Sequence, residues 1–140
     1  MITGYDPSWL HHLKDIDIKS YNFAWLDEDW VDIEKWIIKV WVPEGRPRGF
    51  IAFRFSKEKT ITIAKLAVHP NHRNKGGGSM LLEDIVAISK LRGVDKLLIV
   101  LHEDNEFKQW ALKNGFLGVG IEREAFPDGR DGYRFLREIT

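Results

Sequence analysis

Thr60-Ile61-Thr62-Ile63-Ala64-Lys65-Leu66-Ala67-Val68, then His69-Pro70-Asn71-His72-Arg73-Asn74-Lys75-Gly76-Gly77-Gly78-Ser79, then Met80-Leu81-Leu82-Glu83-Asp84-Ile85, is the stretch that decides the fold. Its first part is rich in β-branched residues, its middle holds a proline and a run of glycines, and its end turns to helical spacing. It reads as a strand, a glycine turn and a helix start. Such a turn aims consecutive main-chain N–H groups and the positive end of a helix dipole at one point, and residues without a Cβ let an anion approach the backbone. Arg73, Asn74, Lys75, Gly76, Gly77, Gly78 and Ser79 are therefore a candidate phosphate cradle.

The spacing excludes two familiar cradles. A P-loop ends in Gly-Lys-Ser/Thr, whereas Gly78 runs directly into Ser79. The dinucleotide fingerprint needs a third glycine three positions after the second, and counted from Gly76 and Gly78 that place is Leu81. Neither a nucleoside triphosphate nor a dinucleotide fits.

The chain has 140 residues, the size of one domain with a real core, and residues 1–140 read as a single domain. Hydrophobic residues at 44% and charged residues at 30% describe a globular protein, with no apolar run of membrane-spanning length. Its 21 basic residues balance 21 acidic ones, so there is no overall field to draw nucleic acid or anionic lipid, and neither partner is expected. No cysteine is present, which excludes disulfides, thiolate metal sites and a cysteine nucleophile and accords with a cytoplasmic location. The opening Met1-Ile2-Thr3-Gly4-Tyr5-Asp6-Pro7 has neither a basic segment nor an apolar signal core, so export is not expected.

Outward from the glycine turn, α and β patterns alternate. Asp15 to Trp36 has helical apolar spacing interrupted near Phe23-Ala24-Trp25, which predicts two helices with a bend. Ile37 to Val42 and Gly49 to Phe55 read as strands joined by Pro43 to Arg48, and Thr60 to Val68 completes a meander. Ser79 to Arg92 is the crossover helix, with Leu81, Leu82, Ile85, Ile88 and Leu91 on its apolar face and Gly93 as its stop. It delivers Lys96 to Leu101 as a buried parallel strand, followed by a helix from about Glu106 to Lys113. Strands near Gly118 to Glu124 and Tyr133 to Ile139 close the chain around the turn Pro127-Asp128-Gly129-Arg130.

Arg73-Asn74-Lys75-Gly76-Gly77-Gly78 resembles the Arg/Gln-x-x-Gly-x-Gly/Ala pyrophosphate loop of the GNAT acetyltransferase superfamily. From about Leu13 to Arg137 the chain is similar to the bacterial acetyltransferases that modify the N-terminal alanine of a ribosomal protein. Four places carry the likeness: Phe23-Ala24-Trp25, Leu66-Ala67-Val68-His69-Pro70 with the glycine loop, Asn114-Gly115-Phe116, and Phe126-Pro127-Asp128-Gly129-Arg130-Asp131. The resemblance implies an α/β fold with a mixed central sheet, flanked by helices, whose strand pair 61–68 and 96–101 splays apart. It implies acetyl-CoA as cosubstrate, held by the cradle and by Leu66, Ala67 and Val68, with Asn105 as a further contact and Trp25 facing the acceptor. It also implies acetyl transfer to a primary amine, foremost a protein or peptide N-terminus, by direct attack. A small-molecule amine acceptor, or a CoA-binding regulator without efficient catalysis, are the alternatives.

Amine acylation by a thioester needs a neutral amine beside the carbonyl, donors for the developing oxyanion, and help for a thiolate whose ordinary pKa is about 8.5. Here the sequence departs from the family. The tyrosine that commonly protonates the thiolate falls at Ala111 or Leu112, because the last helix is one residue short, and the base position on the preceding strand falls at Val100. His102 and Glu103, one strand-turn away, are the candidate catalytic pair for a water-mediated relay, with Tyr133 on a neighbouring strand. An N-terminal amine, at about 7.7–8.0, needs less basic help than a lysine at about 10.4, which favours the former. Trp30, Trp36 and Trp41 read as core. His11-His12 and His69/His72 match no zinc spacing, and no metal is expected.

Overall fold

The computed structural model describes residues 1–20, 24–105 and 107–139. Seven strands and four helices follow one another as β1 (Ile2–Gly4), α1 (Leu10–Ser20), α2 (Asp27–Val31), β2 (Ile37–Trp41), β3 (Gly49–Ser56), β4 (Thr60–Val68), α3 (Gly77–Arg92), β5 (Lys96–His102), α4 (Phe107–Lys113), β6 (Leu117–Glu122) and β7 (Gly132–Glu138). The strands form one sheet in the order β1-β2-β3-β4-β5-β7-β6, antiparallel except for the β4–β5 pair. That pair is the product of the α3 crossover, as parallel neighbours require.

The parallel pair is short. Thr60 to Ile63 match Lys96 to Ile99, and beyond Ile63 and Ile99 the two strands have no register. The same point is a bulge in the β3–β4 ladder: Ala52 faces Lys65 while Phe53 faces Ile63, so Ala64 is the extra residue. A bulge bends its strand and raises local twist. β4 thus turns away from β5 where the sheet opens, and the expected splay has a cause in the main chain. The His69 N–H bonds the Arg48 carbonyl at 2.8 Å on the β3 side, so by alternation Leu66 and Val68 turn their main-chain groups towards the opening.

Two cores sandwich the sheet. α3 and α4 cover one face with Leu81, Leu82 and Ile85, all fully buried, and Ala111. α1 and α2 cover the other through Leu13, Ile16 and Trp30 against Phe50, Ala52 and Ala67. Each fully buried aliphatic side chain contributes about 1.5–3 kcal/mol. Trp30 and Trp41 are core, at 5% and 4% exposure, whereas Trp25 and Trp36 are half-buried.

Three expectations shift. α1 begins at Leu10, well before Asp15, behind a 3-10 turn at Pro7–Trp9 capped by Asp6, whose carboxylate accepts the Ser8 N–H at 2.9 Å. Asp6-Pro7 is an N-cap followed by proline in the first helical position, a signal present in the sequence. β1 is a strand that the periodicity does not reveal, since three residues carry no pattern. Leu91 is 86% exposed, and the apolar stripe of α3 is completed by Val86 instead. Phe23 and Glu106, assigned to the interhelical bend and the last helix, lie outside the described residues.

Candidate active site

α3 starts at Gly77, one residue after Gly76 with φ +82°, and Asn74 at φ +62° also adopts the left-handed conformation. The first helical bond runs from the Met80 N–H to the Gly76 carbonyl at 2.9 Å, so the N–H groups of Gly77, Gly78 and Ser79 stand ahead of the ladder. The glycines have different reasons to be glycine. Gly76 needs its backbone conformation. A Cβ on Gly77 would lie 2.3 Å from the Trp41 ring, so this residue lets the helix approach β2. A Cβ on Gly78 would make only ordinary contact, 3.5 Å from Trp110, on the wall of a cleft of about 710 Å³. Donor groups without side chains in front of them suit a diphosphate, and the cradle fits coenzyme A.

Gly76 to Ser79, Asn74 and Arg73 line that cleft, together with Val68, Asn105 and the end of α1 at Lys19 and Ser20. Arg73 braces it: its guanidinium donates to the Val68 carbonyl and to the Ser20 carbonyl, both at 3.3 Å, and the Ser20 hydroxyl donates to the same Val68 oxygen at 3.0 Å. Lys75 and Leu66 are outside that lining, Leu66 lining the second cleft instead, and Ala67 is fully buried in the α1 core. Phe107 and Trp110 line the cleft, stacked with ring centroids 4.5 Å apart. Their i, i+3 spacing on α4 was the available signal.

A second cleft, of about 330 Å³, lies on the other side of the opening. Trp25 and Asp29 form one wall, Lys65 and Leu66 the β4 side, Val100 to His102 the β5 side, and Phe126 and Pro127 the far wall. Asn105 lines both clefts. It is 7% exposed, its side-chain oxygen accepts the Phe107 N–H at 2.8 Å, and its main-chain N–H bonds the His102 carbonyl at 2.8 Å. The residue that starts α4 therefore stands at the junction of the two spaces.

His102 and Glu103 are brought together with the final turn. His102 is 2% exposed; its Nδ1 accepts the Asp104 N–H at 3.0 Å, which leaves the proton on Nε2, 2.7 Å from an Asp128 carboxylate oxygen. That hydrogen bond, reinforced by the Arg130 main-chain N–H, holds the Asp128 carboxyl below its ordinary pKa. Glu103 pairs with the Arg130 guanidinium, which also grips Asp104 at 2.9 Å, and both carboxylates raise the guanidinium's affinity for its proton. The Phe126 ring rests 4.9 Å from the His102 ring. Both ring nitrogens of His102 are thus engaged, Nδ1 within the β5–α4 turn itself and Nε2 with Asp128 of the final turn. Ala111 is buried and Leu112 exposed at the helix position where a tyrosine was sought, and Tyr133, opposite Leu101 in the β5–β7 ladder, is outside both linings. Among the described residues no group of three His, Asp or Glu side chains is placed to hold a metal ion.

A sheet that parts between two parallel strands beside a glycine-led helix is the architecture of acyltransferases that draw on coenzyme A thioesters. The chain belongs to the acetyltransferase (GNAT) family, whose sequence model matches residues 10–116. The amino-acid acetyltransferase of Escherichia coli K12 is 34% identical over 70 residues, 50% of this chain but 15% of that protein's length. The ribosomal-protein-S18-alanine N-acetyltransferase of Escherichia coli superposes with a TM-score of 0.85 at 21% identity, covering 100% of this chain and 94% of the other. An aminoglycoside 6′-N-acetyltransferase complexed with coenzyme A superposes with a TM-score of 0.83 at 14% identity, covering 100% and 97%. At these identities the superpositions speak for the fold, and the family's cosubstrate is acetyl-CoA. Among the described residues no helix is long and apolar enough to cross a membrane.

Proposed function

We propose that this protein transfers an acetyl group from acetyl-CoA to a primary amine at the N-terminus of a protein or peptide, by direct attack. The observation that carries this reading is the pair of clefts that meet at Asn105 where β4 leaves β5. Bound acetyl-CoA would supply an acetyl thioester. The Gly77, Gly78 and Ser79 N–H groups would hold its diphosphate, and the Leu66 and Val68 main chain would pair with its peptide-like arm as an added strand does. The Val68 N–H would polarise the thioester carbonyl and stabilise the oxyanion that develops there.

The amine enters through the Trp25–Phe126 cleft. In this reading His102 and Glu103 are positioning residues: they hold the Phe126 wall, and the relay expected of them is less needed for an N-terminal amine with pKa of about 7.7–8.0, whose neutral fraction far exceeds that of a lysine. The name of the S18-alanine enzyme supports a polypeptide acceptor. A small-amine acceptor is the second reading, favoured by the modest 330 Å³ of the acceptor cleft and the Asp29 carboxylate on its wall.

Cell proteins and small amines incubated with the protein and isotope-labelled acetyl-CoA, then weighed intact by mass spectrometry, decide between them. Label on protein N-termini supports the proposal. Label confined to small amines supports the second reading, and no label in either pool, with acetyl-CoA bound, rejects both.

A further inference from the structure

Asp17 on α1 is fully buried, and Lys65 on β4 is 9% exposed, with its ammonium 2.8 Å from one Asp17 oxygen. The other Asp17 oxygen accepts the Trp25 main-chain N–H at 2.8 Å. The Lys65 ammonium also lies 5.5 Å from the centre of the Trp25 ring, which meets Trp30 edge-on at 5.0 Å and stacks on Trp36 at 6.4 Å. One carboxylate thus ties a helix, a sheet strand and the segment leading into α2. Burial pushes the Lys65 ammonium below the ordinary lysine pKa, and the Asp17 charge pulls it back. A buried pair of this kind is weak as a source of stability, because desolvating both charges offsets most of their attraction. What it does supply is geometry, and the place it determines is a wall of the acceptor cleft.

We infer that the Asp17–Lys65 pair is a positioning element that fixes the Trp25 wall through the Trp25 main-chain bond, and so sets affinity for the amine acceptor while leaving the cofactor cleft untouched. The inference rests on the acetyl-transfer reading for its kinetic consequence. Its structural content, that Asp17 holds Trp25, stands separately. Asp17 is in neither cleft lining, so it acts on the acceptor only through Trp25 and Lys65.

Two double variants test it. D17N/K65M removes both charges and keeps a carbonyl oxygen for the Trp25 N–H; D17L/K65M removes both charges and that acceptor too. Neither leaves an unpaired buried charge, so both are expected to fold. With a short peptide beginning with alanine as the acceptor, and with the loss of the cleft-lining Lys65 common to both variants, D17L/K65M should show a KM about tenfold above that of D17N/K65M, equivalent to about 1.4 kcal/mol. The kcat and the calorimetric Kd for acetyl-CoA should match in both. The Trp25 amide should exchange with deuterium faster in D17L/K65M alone. Equal KM values in the two variants would overturn the positioning role. If the wild type acetylates no amine, the acetyl-transfer reading fails by itself, and Trp25 exchange still decides: an amide as protected in D17L/K65M as in wild type sinks the inference.

Discussion

The cofactor cleft and the acceptor cleft lie on either side of one opening and are built in opposite ways. The first has at its centre the main chain of one short run, Gly76 to Ser79, at the start of α3, where the left-handed Gly76 sets the direction of the N–H groups, with Val68, Asn105, Phe107 and Trp110 around it. The second is made of side chains from distant segments: Trp25 and Asp29, Lys65 and Leu66, Val100 to His102, Phe126 and Pro127. Backbone donors recognise a feature common to every CoA thioester, so their construction can be local. In the proposed reading, side chains gathered from across the chain distinguish one acceptor from another, held by the buried Asp17–Lys65 pair and by the bond from buried His102 to the half-exposed Asp128.

The contrast can be broken at several points. Gly77→Ala should have the largest effect, because its methyl group would overlap the Trp41 ring; a loss of about 3 kcal/mol in a thermal melt is expected, at the upper end for overpacking. Gly78→Ala, one residue on, should leave the melt unchanged and weaken acetyl-CoA binding. Equal melts for the two would mean that Trp41 moves aside easily. Trp25→Ala should raise acceptor KM about tenfold, about 1.4 kcal/mol, with calorimetric acetyl-CoA affinity held within about twofold. A matching loss of cofactor affinity would erase the distinction between the clefts. Asn105→Ala should cost about 1 kcal/mol through the lost Phe107 bond, and because it lines both spaces it should worsen cofactor Kd and acceptor KM together.

The smallest effect concerns acid. The folded Asp128 carboxyl titrates below the unfolded value of 3.8, so its contact with His102 contributes in full at neutral pH and is lost as pH falls through the folded pKa. Protection of the Gly129 amide, which bonds the Phe126 carbonyl at 2.9 Å, should fall in that window when its exchange is compared with the intrinsic rate at each pH. Asp128→Asn should abolish the pH dependence, and a variant that still loosens in acid would point to another carboxylate.

Reading by sequence succeeded wherever structure is local. The strands from Ile37 to Val68, the crossover helix and its cradle follow from periodicity and glycine placement, and those elements agree with the structure to within a few residues. It failed at β1, which exists only because β2 offers an edge, and at Leu91, whose helical position looks apolar but points to solvent. His102 lines the second cleft, and Glu103 follows it in the β5–α4 turn. Their partners Asp128 and Arg130, more than twenty positions away, are what the sequence alone did not show.

By itself, then, the order of residues determined the strand–glycine–helix unit and the parallel crossover, because backbone conformation depends on near neighbours and on whether a Cβ is present. Only the folded chain decided where β4 leaves β5, which residues wall the acceptor cleft and which charges Asp17 and His102 meet. Those features depend on a bulge placed by β3 pairing and on side chains brought together from remote segments, and no spacing within one segment encodes them.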